Sequence, residues 1–141
     1  MDRPASGHRV LPHTADIRVE AWAPTRERCV AEAVRGTVET FADLGDAAPE
    51  AVRRRSVLVA ATDEDLLVAA LDEMVYLMDT TGELPVDTEL VATGEGAEIR
   101  FSMVRSDRLV QVGAVPKAVS LHGLRLSRDG DGWSCSVTLD V

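Results

Sequence analysis

Aromatic side chains are scarce in this chain, 4% of 141 residues, and a base-stacking platform for single-stranded nucleic acid is correspondingly hard to build. Positive charge is also short. Fifteen Lys and Arg stand against 24 Asp and Glu, a net charge of −9, which argues against a protein that grips nucleic acid or an anionic membrane by itself. No apolar run approaches the roughly 18 residues that a membrane span needs. Met1–His8 is polar and lacks the hydrophobic centre of a signal peptide, so a cytoplasmic location is expected. Two cysteines, Cys29 and Cys135, have no metal-ligand spacing and fit a reduced compartment. The sequence also has no phosphate-binding glycine loop, no Ser or Cys nucleophile elbow and no zinc signature.

What is present is ordinary globular material. Apolar residues make up 45% and charged residues 28%, enough for one domain with its own core. We expect a flexible N-terminus over 1–8 and a single compact domain over 9–141. A strand beginning near Asp16 alternates Ile17, Val19 and Ala21 with Asp16, Arg18 and Glu20. Pro24-Thr25 opens a helix placed at about 25–43, with Val30, Val34, Val38 and Phe41 at helical spacing, and Gly45 closing it. Val52–Ala61 reads as a buried strand after a basic start. A second helix at about 63–79 is capped by Thr62 or Asp63, with an arc from Leu66 to Met78, and Gly82 and Pro85 end it. Asp72 and Tyr76 point away from that arc and Glu73 lies on its rim.

From Val86 onward the pattern is β. Leu90–Ala92 and Ile99–Met103 bracket a hairpin turn at Gly94–Gly96. Strands at 118–126 and 132–140 flank Asp129-Gly130-Asp131-Gly132; the apolar phase of the first slips at Gly123, which predicts a bulge, and the last alternates Trp133, Cys135, Val137, Leu139 and Val141 with Ser134, Ser136, Thr138 and Asp140. The fold class is α+β, two helices packed on a mixed sheet.

Asp16 opens the first of these strands and Asp140 ends the last. If the two strands are antiparallel neighbours, the side chains sit roughly 5 Å apart. Two such carboxylates repel unless one is protonated or a cation bridges them. The carboxylate of Val141, read as the last residue, adds a third. An all-oxygen set suits a hard divalent cation, Ca²⁺ first and Mg²⁺ or Mn²⁺ as alternatives. The plain alternative is that both aspartates are solvated strand ends that never meet. His13 is open to reading as a ligand, a general base or a hydrogen-bonding strand cap. His122 reads as a satisfied, half-buried histidine. Lys117 is a loop lysine that gains a role only if aimed at acidic groups or a phosphate. Glu73 belongs by default to a solvated helix face, and both cysteines to the core.

Four short motifs in order, His13-Thr14-Ala15-Asp16-Ile17, Leu66-Leu67 with Leu71-Asp72-Glu73, Lys117-Ala118-Val119-Ser120-Leu121-His122, and Trp133 through Asp140-Val141, resemble the archease family over about 9–141. Asp72 departs from the family's commoner asparagine, and Ser120-Leu121 from its commoner threonine-tyrosine. The resemblance implies a non-catalytic activator of an RtcB-type tRNA-splicing RNA ligase, which joins RNA 2′,3′-cyclic phosphate or 3′-phosphate ends to 5′-hydroxyls using GTP and Mn²⁺. It implies promotion of ligase guanylylation and multiple turnover, and a divalent-metal site. Asp16, Asp140 and Val141 carry that site by resemblance, Lys117 matches the late basic position, and His13, Glu73 and His122 rank lower. The partner expected is the ligase, with no direct nucleic-acid binding, no membrane, and homo-oligomerisation left open. A general chaperone or modulator of nucleic-acid enzymes is the alternative. A metal-dependent hydrolase is disfavoured because no second ligand-spaced cluster exists.

Overall fold

The computed structural model describes residues 4–12, 16–45 and 51–141. Among the described residues, two α-helices, α1 (Arg26–Glu39) and α2 (Asp63–Thr81), are combined with nine strands. Strands β1 (Gly7–Pro12), β2 (Asp16–Ala23), β8 (Ala118–Asp129) and β9 (Gly132–Asp140) form a four-stranded sheet ordered β1-β2-β9-β8. Strands β4 (Val52–Val59), β5 (Glu83–Thr93) and β6 (Gly96–Arg105) form a three-stranded sheet ordered β4-β6-β5. A short pair, β3 (Ala42–Asp43) with β7 (Val110–Gln111), completes it. The α+β class with two helices is as the pattern implies. The strands are divided among three antiparallel sheets instead of being gathered into one mixed sheet. β1–β2, β5–β6 and β8–β9 pair strands consecutive in sequence, whereas β2–β9, β4–β6 and β3–β7 pair strands remote in sequence.

Both helices start where the caps predict. The Thr25 hydroxyl accepts from the Arg28 N–H at 3.2 Å, and that of Thr62 from the Asp65 N–H at 3.1 Å. Arg26 donates to Glu27 at 2.8 Å and to Asp63 at 2.9 Å, tying the two helix starts together. α1 stops at Glu39, four residues before the expected end. The Thr40 N–H and hydroxyl both turn back to the Thr37 carbonyl, and Ala42 then pairs with Gln111. α2 runs two residues beyond expectation to a left-handed Gly82 cap.

The core lies where the helices meet the inner faces of the two larger sheets. α1 packs on β2, β9 and β5, while α2 packs on β8 and on β4 to β6. Val19, Val30, Val34, Leu66, Leu71, Ile99, Met103 and Leu139 are fully enclosed.

Three readings need correction. The fold begins before residue 9: β1 starts at Gly7, the Trp22 indole donates to the Pro4 carbonyl at 2.8 Å, and His8 sits 2.8 Å from Glu39. The expected flexible stretch is thus part of the sheet from Gly7, and residues 1–3 lie outside the described chain. Glycine at position 36 of α1 follows from this contact, since a Cβ there would meet the His8 ring at 2.9 Å. β4 is not a buried strand. It is an edge strand on which Val57 and Val59 are 71% and 70% exposed and Leu58 alone is buried. Finally, β9 is buried on both faces: Ser134 and Ser136 are as enclosed as Cys135 and Val137, because arginines from β8 and β2 cover them.

Candidate functional site

Asp16 and Asp140 are direct cross-strand partners. The register follows from the apolar alternation. Ile17 faces Leu139, Val19 faces Val137 and Ala21 faces Cys135, all toward the helices, so the intervening residues, Asp16 and Asp140 included, share the opposite face. A slip of one residue would expose the whole apolar set. Partners of this kind place their Cβ atoms about 5 Å apart. The conditional expectation of neighbouring aspartates therefore matches the strand order.

A third element ends at the same place. Ala118, the first residue of β8, pairs with Asp140, and the Lys117 N–H donates to the Asp140 carbonyl at 2.8 Å. Lys117 is thus brought beside the two aspartates and its residue is exposed. Asp16 is half-buried with Oδ1 shielded from solvent, whereas Asp140 is exposed. Val141 follows β9 directly and is half-buried. It lies outside the core that takes Val137 and Leu139.

The lower-ranked residues separate. His13 lies outside the described residues. His122 is exposed, not half-buried: it sits in the bulge of β8 between Ser120 and Arg125, where Gly123 takes φ +70°. Its N–H donates to the Ser120 hydroxyl at 3.2 Å. Glu73 accepts from the Ser56 hydroxyl on β4 at 3.0 Å, which ties α2 to the three-stranded sheet. The strand pairing does not bring it to the aspartates. Cys29 and Cys135 are enclosed core residues, and the hydrogen bond between them, with burial, pushes the Cys29 thiol up.

Two residues that the sequence reading passed over stand on the same sheet face as the aspartates. Arg18 Nε donates to the Ser136 hydroxyl at 2.8 Å, and Arg125 Nη1 to the Ser134 hydroxyl at 2.8 Å. For Arg18 the signal was available: in a strand, i and i+2 share a face, so it follows Asp16 by one step. Arg125 was hidden by the bulge.

Asp16 and Asp140 supply hard anionic oxygens, one of them held away from water, and that donor chemistry fits a divalent cation. Among the described residues, no three His, Cys, Asp or Glu side chains are grouped to hold a metal ion, so further donors must come from other groups. The groove of about 380 Å³ between α1 and β5, lined by Arg28, Glu32, Arg35 and Pro85–Leu90, includes none of these residues. Among the described residues no helix is long and apolar enough to cross a membrane.

Residues 8–141 match the model of the Archease protein family (MTH1598/TM1083). A probable archease of Mycobacterium tuberculosis is 56% identical over 137 residues, 97% of this chain and 76% of that protein. An archease of Archaeoglobus fulgidus is 28% identical, covering 95% of this chain and 98% of its own. The solution structure of protein 1598 of Methanobacterium thermoautotrophicum superposes with a TM-score of 0.74 at 20% identity, over 96% of this chain and 99% of that one. The crystal structure of an archease from Thermotoga maritima, described as a possible chaperone, gives a TM-score of 0.65 at 22% identity, over 100% and 98%.

Proposed function

We propose, from the premise that this chain belongs to the Archease protein family, that it is a non-catalytic activator of an RtcB-type RNA ligase. In this reading it promotes guanylylation of the ligase and its repeated turnover in tRNA splicing or RNA repair, in the cytoplasm. The observation that carries the reading is the pairing of Asp16 with Asp140 at an exposed sheet end, with Lys117 beside them. Asp16 and Asp140 would hold a divalent cation, Ca²⁺ by preference and Mg²⁺ or Mn²⁺ as alternatives. When bound, the cation supplies positive charge that offsets the two carboxylates.

The protein's own contribution is presentation. The β2–β9 ladder fixes both carboxylates on one face, and the Lys117 N–H anchors the start of β8 against Asp140. An acidic surface of this kind complements a ligase site that must be basic to hold GTP and RNA phosphates, and complementary charge speeds encounter and fixes register. The guanylylated histidine belongs to the ligase, so this chain should take up no label from GTP.

The decisive experiment follows ligase guanylylation and multiple-turnover joining with labelled GTP, with wild type, Asp16→Asn or Asp140→Asn. Acceleration by wild type alone supports the reading. Label on this chain, or equal acceleration by all three, would overturn it. The chaperone reading draws on the description of the Thermotoga protein. It requires suppression of aggregation of unrelated proteins, and such suppression without any effect on the ligase would favour it.

A further inference from the structure

No other described element packs on the outer face of the β4-β6-β5 sheet. Its cross-strand rows place Val57, Glu98 and Val91 side by side, then Arg55, Arg100 and Glu89, then Arg53, Ser102 and Asp87. Val57 and Val59 are about seven-tenths exposed and Val91 is 41% exposed. In a chain of net charge −9, one margin of this face is basic and the opposite margin is acidic at the same height along the strands.

We infer that this face is a self-association surface whose occupant is a second copy of the same chain. β4 and β5 each run antiparallel to β6, so they run parallel to one another. A two-fold axis lying in the interface along β6 therefore sets β4 over the second copy's β5, row by row. Arg53 then meets Asp87 of the other copy, Arg55 meets Glu89 and Val57 meets Val91, each pair formed twice. This is the self-complementarity that an isologous interface requires. On the axis Arg100 and Glu98 meet their own copies. Arg100 donates to Glu98 at 2.7 Å and to Glu89 at 3.1 Å, so these charges are already balanced within each chain.

The open space over the arginine rows, about 520 Å³ lined by Arg53, Arg55, Asp87, Glu89, Arg100 and Ser102, is room for the other copy's side chains. Sheets packed this way lie about 10 Å apart with a crossing near 30°, within the reach of an arginine. Three strands at about 4.8 Å and eight residues at about 3.4 Å project to roughly 400 Å² per copy. That lies at the small end of specific interfaces. Mutual repulsion of two acidic chains lowers affinity further and is eased by salt, so the dimer is weak and concentration-dependent.

The test is sedimentation velocity of the full chain over roughly two decades of concentration up to about 1 mM. It compares wild type, Arg53→Asp, Asp87→Arg and the double exchange, each melted to confirm folding. Wild type should dimerise progressively, each single exchange should lower the association constant at least about tenfold, and the double exchange should recover most of the loss. Should an exchange impair folding, Val57→Ser with Val91→Ser replaces it and should also abolish the dimer. Wild type remaining monomeric throughout, single exchanges without effect, or a double exchange that fails to recover would each overturn the proposal. A monomeric wild type that binds polyuridine through Arg53 would assign the face to an anionic polymer and overturn it equally. The measurement contains no ligase, so its outcome is independent of the activator reading.

Discussion

The two larger sheets draw on very different spans of the chain. In the three-stranded sheet β5 and β6 are joined by a two-residue turn, and β4 joins residues 52–59 to residues 96–103 of β6. In the four-stranded sheet the central contact is β2 with β9, which joins residues 16–23 to residues 133–140. The carboxylate pair stands on a contact that spans nearly the whole chain, while Val57, Arg53 and Arg55 stand on one confined to residues 52–103. A site built on remote strands is defined only when the whole domain has closed. The hairpin face, by contrast, is set by its own turn and β4.

This contrast can be broken by cavities. Leu139 and Ile99 are both fully enclosed, and truncation of either to alanine should cost about 2–5 kcal/mol in denaturant unfolding. Their effects on the site should differ. Leu139 immediately precedes Asp140 and faces Ile17 beside Asp16, so Leu139→Ala should also weaken divalent-cation binding measured by calorimetry on folded protein. Ile99→Ala should leave that binding unchanged. Equal losses in the two variants would mean that the carboxylates are not positioned by the β2–β9 ladder.

The next effect separates binding from folding. Asp16→Asn and Asp140→Asn each remove a charge while keeping the side chain's shape, so cation affinity should fall at least about tenfold. Without divalent cations the same changes relieve like-charge repulsion across the ladder. Unfolding in chelator should therefore be unchanged or more stable by up to about 1 kcal/mol. Destabilisation in chelator together with unaltered cation affinity would make the pair a structural feature.

How much of this was legible depended on whether the informative neighbours were close in sequence. Thr25 and Thr62 as caps, Gly82 as a stop and the turns at Gly94 and Gly130 are local chemistry, and they were readable. So was the alternation of β2 and β9, though only as a condition, because nothing in residues 16–23 names residues 133–140 as partners. β4 was misread as buried because an apolar run on an edge strand looks like one in a sheet centre. β1 was missed because its anchor, His8 between Glu32 and Glu39, depends on a helix more than 20 positions away. Burial of Ser134 and Ser136 was invisible for the same reason: the arginines that cover them come from β2 and β8.

The polar faces of the two sheets give a smaller contrast. Ser136 is 2% exposed and accepts from Arg18, so Ser136→Ala should cost about 1 kcal/mol. Ser102 lies on the open face of β6, half-exposed, and Ser102→Ala should change stability by less than about 0.5 kcal/mol. Matching values from denaturant titrations would show that the arginine cover over β9 adds nothing.

The smallest effect concerns Glu98. Arg100 Nε lies 2.7 Å from its carboxylate and holds the Glu98 carboxyl below the usual glutamate range. A carboxyl lowered on folding contributes stability that is present above its unfolded value, near pH 4.3 for a free glutamate, and is lost as pH falls through the lower folded value. Wild type should therefore be slightly more stable than Glu98→Gln at neutral pH, and the two should converge in acid. The pair is solvent-screened, so the neutral-pH difference should be slight and should shrink further as salt is raised. Arg100 keeps its second partner, Glu89, in the variant, which limits the loss again. Measurements belong at dilute protein, where association through this face is absent. A difference between the two proteins that persists unchanged into strong acid would show that Glu98 acts through packing between Val57 and Val91 and not through its charge.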